Sequence, residues 1–233
     1  MRPPLRRHYP DAVTAPHRTP PFRTERFKAF VDAVVAIAMT LLILPLMEAV
    51  SDAASGKLTT AEFFHEHSGQ LLSFALSFLL IATFWMGHHS QYRDVERITT
   101  PLIWINVAWM ATIVWLPVPT AMLGQIDTDP LQKVVYIGTL IATQLATLAG
   151  GIYLGRRPEL STAPPSTYRE GVLGDLAAII LFAAALLVAV LVPEIGYAAL
   201  FLLLLNAPVS RLVDRLSRGR SRDSDVQTPG PAE

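Results

Sequence analysis

The sequence predicts an all-α integral membrane protein with six transmembrane helices. Three observations predict it. Of 233 residues, 52% are apolar and 16% charged, whereas a soluble domain carries roughly 25% charged residues. The charges sit between long apolar runs, each able to span a hydrocarbon core of about 30 Å as a helix rising about 1.5 Å per residue. The lysines and arginines, finally, fall on alternate sides as an even number of spans requires.

The first element is organised around Arg26 to Leu46, RFKAFVDAVVAIAMTLLILPL, and is expected to span Phe27–Met47. It carries one carboxylate, Asp32, whose burial in a span costs roughly 2.5–3.5 kcal/mol on insertion scales and marks it as a paired, functional residue. A polar loop is expected next. Thr59-x-x-Glu62 matches a capping box, so the second helix begins near Thr60 and ends near His88-His89, before a tight charged turn, QYRDVER. Pro101 suits the first turn of a third helix, which Pro117 and Pro119 kink or end. The fourth span is read as 134–154, the fifth as 172–192 and, after the short turn PEIG, the sixth as 195–212. Residues 1–25, with six prolines, and 213–233 are expected to be disordered cytoplasmic tails around a six-helix domain over 26–212.

With the N-terminus inside, the inner segments hold seven Lys and Arg over residues 1–28, two at Arg93 and Arg97, three at Arg156, Arg157 and Arg169, and five from Arg211 to Arg222. Of 19 in all, only Lys57 and Lys133 remain outside. This bias puts both termini in the cytoplasm. Cys is absent, which excludes disulfides and thiolate metal sites. The polar N-terminus has neither the apolar core nor the cleavage site of a signal peptide. There is no P-loop, GxSxG or HExxH, and the basic residues lack interleaved aromatics, so neither an enzyme, a cofactor nor nucleic-acid binding is expected.

Two constellations carry chemistry. At 100° per residue, Phe30, Ala33, Ile37, Leu41, Leu44 and Glu48 fall within about 40° of one line on the first helix, while Asp32 points about 140° from Ile37. If that face lines a pore, Ile37, Leu41 and Leu44 stack as apolar rings in an oligomer and Asp32 braces the helix from behind. Thr40, about 60° to one side, can offer its hydroxyl to a passing ion, and Glu48 can concentrate cations at the outer mouth. Periodicity alone favours lipid contact or helix packing over pore lining for such a stripe. The second constellation is a layer of similar depth where Asp32, Trp85, His88 or His89, and Asn106 can meet; the plainer reading has interfacial histidines and a helix-contact asparagine.

These residues resemble the transmembrane protein 175 family, potassium channels of lysosomes and of bacterial membranes. RFKAFVDAVVAIAMTLLILPL is similar to its Arg-x-x-x-Phe-Ser-Asp first helix. Trp85, His88 and His89 match the Trp-x-x-His-His end of its second helix, and Asn106 with LPVPT (Leu116–Thr120) matches its third. The resemblance implies a multi-pass protein of the bacterial inner membrane, a homotetramer whose first helices line the pore. It also implies a potassium-preferring cation channel, with potassium as permeant ion, a hydrophobic constriction at Ile37, Leu41 and Leu44, and selectivity at Thr40. The bracing network it implies falls on Arg26, Asp32 and His88 or His89. The family serine is Val31 here, which removes a hydroxyl from that network. The alternative from another class is a proton-coupled secondary transporter, or a proton leak channel, using Asp32 and His88 as a relay.

Overall fold

The structure is a computed structural model that describes residues 24–126 and 129–191. The expected sixth span, the PEIG turn, the C-terminal tail and the N-terminal tail up to residue 23 lie outside the described residues. Within them the chain forms α1 (Thr24–Leu41), α2 (Leu44–Ser55), α3 (Thr60–Glu66), α4 (Ser68–Tyr92), α5 (Thr100–Trp115), α6 (Pro117–Gln125), α7 (Pro130–Gly155) and α8 (Pro165–Leu191). A short 3-10 turn, Pro158–Leu160, and one antiparallel bridge, Val95–Ser161, complete the regular structure described. Among the described residues, five stretches are long and apolar enough to cross a membrane: Thr24–Ser55, Ser68–Tyr92, Thr100–Gln125, Pro130–Gly155 and Pro165–Leu191.

The first span differs from the single helix expected over Phe27–Met47. It breaks at Leu42–Ile43 and then runs on to Ser55. Pro45 explains the break, because its ring has no N–H for the Leu41 carbonyl and crowds it. The chain tightens there, with Ile43 N–H donating to Thr40 O at 3.3 Å, before Met47 N–H restores helical spacing onto Ile43 O at 3.0 Å. The polar residues after Met47, expected as loop, continue the helix because Glu48 and the alanines favour it. The exit is a Schellman turn with Lys57 at φ 59° and Leu58 N–H on Ala53 O at 3.0 Å.

The capping box starts α3 as read: the Glu62 N–H donates to Thr59 Oγ1, and Glu62 Oε2 accepts from the Thr59 N–H at 2.7 Å. Hydrogen bonds from the Thr59 hydroxyl and N–H hold the Glu62 carboxyl below the usual carboxylate range. The helix is interrupted at His67, and α4 then runs one turn past His89, absorbing part of the expected charged turn. The third span kinks as anticipated. Pro117 and Pro119 leave carbonyls of α5 without donors, and the chain passes Leu116 on a tightened bond to Ile113 O of 3.2 Å. Spans four and five start earlier than read, at Pro130 and Pro165, prolines placed in the first turn where the missing N–H costs nothing.

Cross-helix bonds define an antiparallel meander. Lys28 Nζ reaches Arg93 O and Asp32 reaches Trp85, so α1 runs against α4. His88 with Asn106 and Ser77 with Thr120 pair α4 with α5 and α6. Trp109 with Thr147 and Thr99 with Tyr153 pair α5 with α7, and Lys133 with Ala189 pairs α7 with α8. The loops after α4 and α7 meet at one end, where Glu96 N–H donates to Leu160 O and Thr162 N–H to Asp94 O, both at 3.0 Å. The start of α1 docks on the same loops through Thr24 Oγ1 to Glu96 O. Between the helices Val31, Val35, Ile81, Ile113, Ile137 and Phe182 belong to one apolar core.

The first helix and its polar anchor

α1 has two faces. Phe27, Val31, Val35 and Ala38 are buried in the core against α4 and α5. On the opposite side Arg26, Phe30, Ala33, Ile37, Thr40 and Leu41 are exposed, with Ile37 at 59%. At the Pro45 break and beyond it, Leu44 (52% exposed) and Glu48 are exposed as well. Thr40 Oγ1 donates its proton to Ile37 O at 2.7 Å, which leaves the oxygen lone pairs free to face outward. The break at Leu42–Ile43 falls between Leu41 and Leu44.

The reverse side of α1 is tied to α4. Asp32 Oδ1 accepts from Trp85 Nε1 at 2.8 Å, and the Trp85 ring lies 5.7 Å from that of His89. His88 points the other way, into the bundle. Its ring is sandwiched between Tyr92, 4.4 Å away, and Trp109, 4.2 Å away. Asn106 Oδ1 lies 2.7 Å from His88 Nε2, and Asn106 Nδ2 donates to Tyr92 Oη at 2.9 Å and to Leu102 O at 2.8 Å. A carbonyl only accepts, so Leu102 fixes which way the amide points. The His88 nitrogen facing Oδ1 is then the protonated one.

Asp32, Trp85 and His89 thus come together on one side of α4, and His88 and Asn106 on the other. Arg26 joins neither group. It stays exposed on the open line of α1, where ideal helix geometry puts it about 20° from Ile37. Val31 is 1% exposed and packs as a core residue, so apolar contact fills the position of the family serine. Tyr92 was not singled out from the sequence. Its signal was the i, i+4 spacing from His88, visible only if the helix is carried past His89. A further buried trio, Ser77, Thr120 and Tyr136, links α4, α6 and α7 by bonds of 2.8 and 3.0 Å.

Five apolar spans in a meander, one with an open apolar line and a polar anchor behind it, define a polytopic helical membrane protein. The family model described as "Endosomal/lysosomal potassium channel TMEM175" matches residues 26–117, which holds that helix and its anchor. Over that stretch the chain is similar to the TMEM175 family, a family of channels and not of enzymes. A potassium channel of Streptomyces collinus is 33% identical over 142 residues, 58% of this chain and 66% of that protein. The mouse endosomal/lysosomal proton channel TMEM175 is 31% identical over 124 residues, 49% of this chain and 24% of that protein. The matched segment therefore spans under two thirds of the first and about a quarter of the second. In fold, the chain is similar to the crystal structure of a lysosomal potassium-selective channel TMEM175 homolog from Chamaesiphon minutus. The TM-score is 0.54 at 23% identity, covering 78% of this chain and 97% of that one.

Proposed function

We propose that this chain is a subunit of a potassium-preferring cation channel in which α1 and the start of α2 line the pore. The observation that carries this reading is the open line of α1, set against relatives named as potassium channels. In the proposed assembly, a homotetramer in the bacterial inner membrane, four copies of that line face a shared axis. Residues 26–212 form the channel unit with six spans, both termini are cytoplasmic, and the tails lie outside the conducting part.

Ile37, Leu41 and Leu44 then form the constriction. Branched apolar rings narrow enough to dewet stop ions until the helices part or turn. With no fixed carbonyl cage, potassium preference rests on dehydration cost and on the outward lone pairs of Thr40. Arg26 and Glu48 stand at the two ends of the pore, opposite charges at opposite mouths. The bond from Trp85 to Asp32 and the cluster of His88, Asn106 and Tyr92 hold α1 and α4 in place, a bracing role.

The test is flux from liposomes carrying the full chain, comparing potassium, sodium and protons. Wild type should pass potassium faster than sodium. Ile37→Asn should wet the constriction and raise resting flux several-fold, and unchanged flux would remove the residue from the pore. A second reading, proton conduction, draws on the animal relatives named as proton channels. A direct Asp32–His88 relay fits the geometry poorly, since Trp85 occupies Asp32 Oδ1 and Asn106 occupies His88 Nε2.

A further inference from the structure

Asp175 is a carboxylate that the proposed pore does not use. It stands in the span Pro165–Leu191, ten residues after the helix start, or about 15 Å along its axis. Gln144, which it meets across the α7–α8 seam, lies eleven residues before the end of α7, a similar depth. The pair therefore lies inside the helical bundle, on the side of the loops that follow α4 and α7.

Among the described residues Asp175 has a hydrogen bond and no ion pair. Gln144 Nε2 donates to Asp175 Oδ1 at 2.6 Å. Among the described residues ion pairs are confined to Lys28–Glu25, Arg93–Asp94 and Arg157–Glu159, near the loop end of the bundle. On α7 the next residue toward the carboxylate is Gly151. A side-chain carbon there would lie 3.8 Å from Asp175 Oδ2 and 2.8 Å from Gln91 Nε2 of α4, so Asp175 and Gln91 face each other across its missing side chain. Gln91 Nε2 is taken by Thr147 O at 3.0 Å. Its Oε1 is a buried acceptor with no hydrogen-bond donor among the described residues. Facing groups are otherwise neutral or engaged: Tyr92 on α4 is held by Asn106, and Tyr168, two turns earlier on α8, donates to Ser161 Oγ. Arg169 and Glu170 are six and five residues away, more than 100° round the helix.

An ionised carboxylate with no cation in such a place is costly, and it is relieved by taking a proton or a partner charge. We propose that Asp175 is a proton-binding site in each subunit, separate from the pore line, seated between α4, α7 and α8. The proton sits on Oδ2, because Oδ1 already accepts from Gln144. Each subunit thereby gains a contact at the α7–α8 seam that changes with pH, whether or not the chain conducts potassium.

The experiment is an acid-minus-alkaline infrared difference spectrum of the full chain in liposomes, which reads carboxylic acid directly and needs no ion flux. Among its 19 acidic residues, wild type should show one protonated-carboxyl band, resolved from those of the solvated carboxyls, that titrates with pH. Asp175→Asn, which keeps an acceptor for Gln144, should lose that band, while Asp32→Asn should keep it. Gln144→Leu removes a donor that favours the carboxylate, so the midpoint of the band should move to higher pH. No such band in wild type, its survival in Asp175→Asn, or an unmoved midpoint in Gln144→Leu would each overturn the assignment.

Discussion

At the scale of single residues, the anchor behind α1 shows how polar side chains are tolerated in a span. Each buried polar atom of the His88–Asn106–Tyr92 cluster that bonds here does so to a neighbour held by packing. The members are not equivalent. Tyr92→Phe takes one of two acceptors from Asn106 Nδ2 and leaves Leu102 O in place, so it should cost about 1 kcal/mol. Asn106→Leu strands the buried His88 N–H and should cost more, about 1–3 kcal/mol. Denaturant unfolding in detergent separates the two, and equal losses would mean that Asn106 is not the acceptor His88 depends on.

At the scale of elements, close approach is set by what is missing from α7. A side-chain carbon on Gly150 would lie 2.7 Å from Tyr92 Oη, and Tyr92 is buried and cannot swing away. Gly150→Ala should therefore destabilise the α4–α7 contact by about 1–3 kcal/mol, and Tyr92→Phe in the same chain should recover part of the loss. Gly138, on the same helix with nothing within 4 Å of such a carbon, is the control. Gly138→Ala should be neutral or stabilising by up to about 1 kcal/mol. Losses of the same size at both positions would contradict the packing described.

The elements also show where reading a sequence stops. Among the described residues, helix existence was legible wherever an apolar run was long. The capping box at Thr59 and the kink at Pro117 and Pro119 were legible because each is a local steric or hydrogen-bonding fact. Pro45 is equally local, yet it hides inside an apolar run and was passed over. Ends were less legible, since AVSDAAS and SQY are polar and still helical, and polarity alone does not stop a helix. That Asp32, Trp85, His88 and Asn106 share a layer followed from depth. Which of them bond did not, because depth fixes height on each helix and leaves the rotation of one helix against the next to packing. Hence Trp85 meets Asp32, His88 turns inward, and Arg26 stays on the open face.

At the scale of the whole molecule, the account rests on what the open line of α1 meets in the membrane. A single subunit leaves Ile37 exposed, but it also leaves Ile180 of α8 exposed at 68%, and exposure does not tell a pore from lipid. The absence of cysteine in the natural chain makes the distinction direct, because any introduced thiol is the only one. The deciding measurement is oxidative cross-linking of single-cysteine variants in the membrane, at Ile37→Cys, Val31→Cys and Ile180→Cys. Gathering of the first helices about one axis predicts covalent dimers at Ile37 alone, since Val31 faces its own core and Ile180 faces lipid. Dimers at Ile180 and none at Ile37 would contradict it.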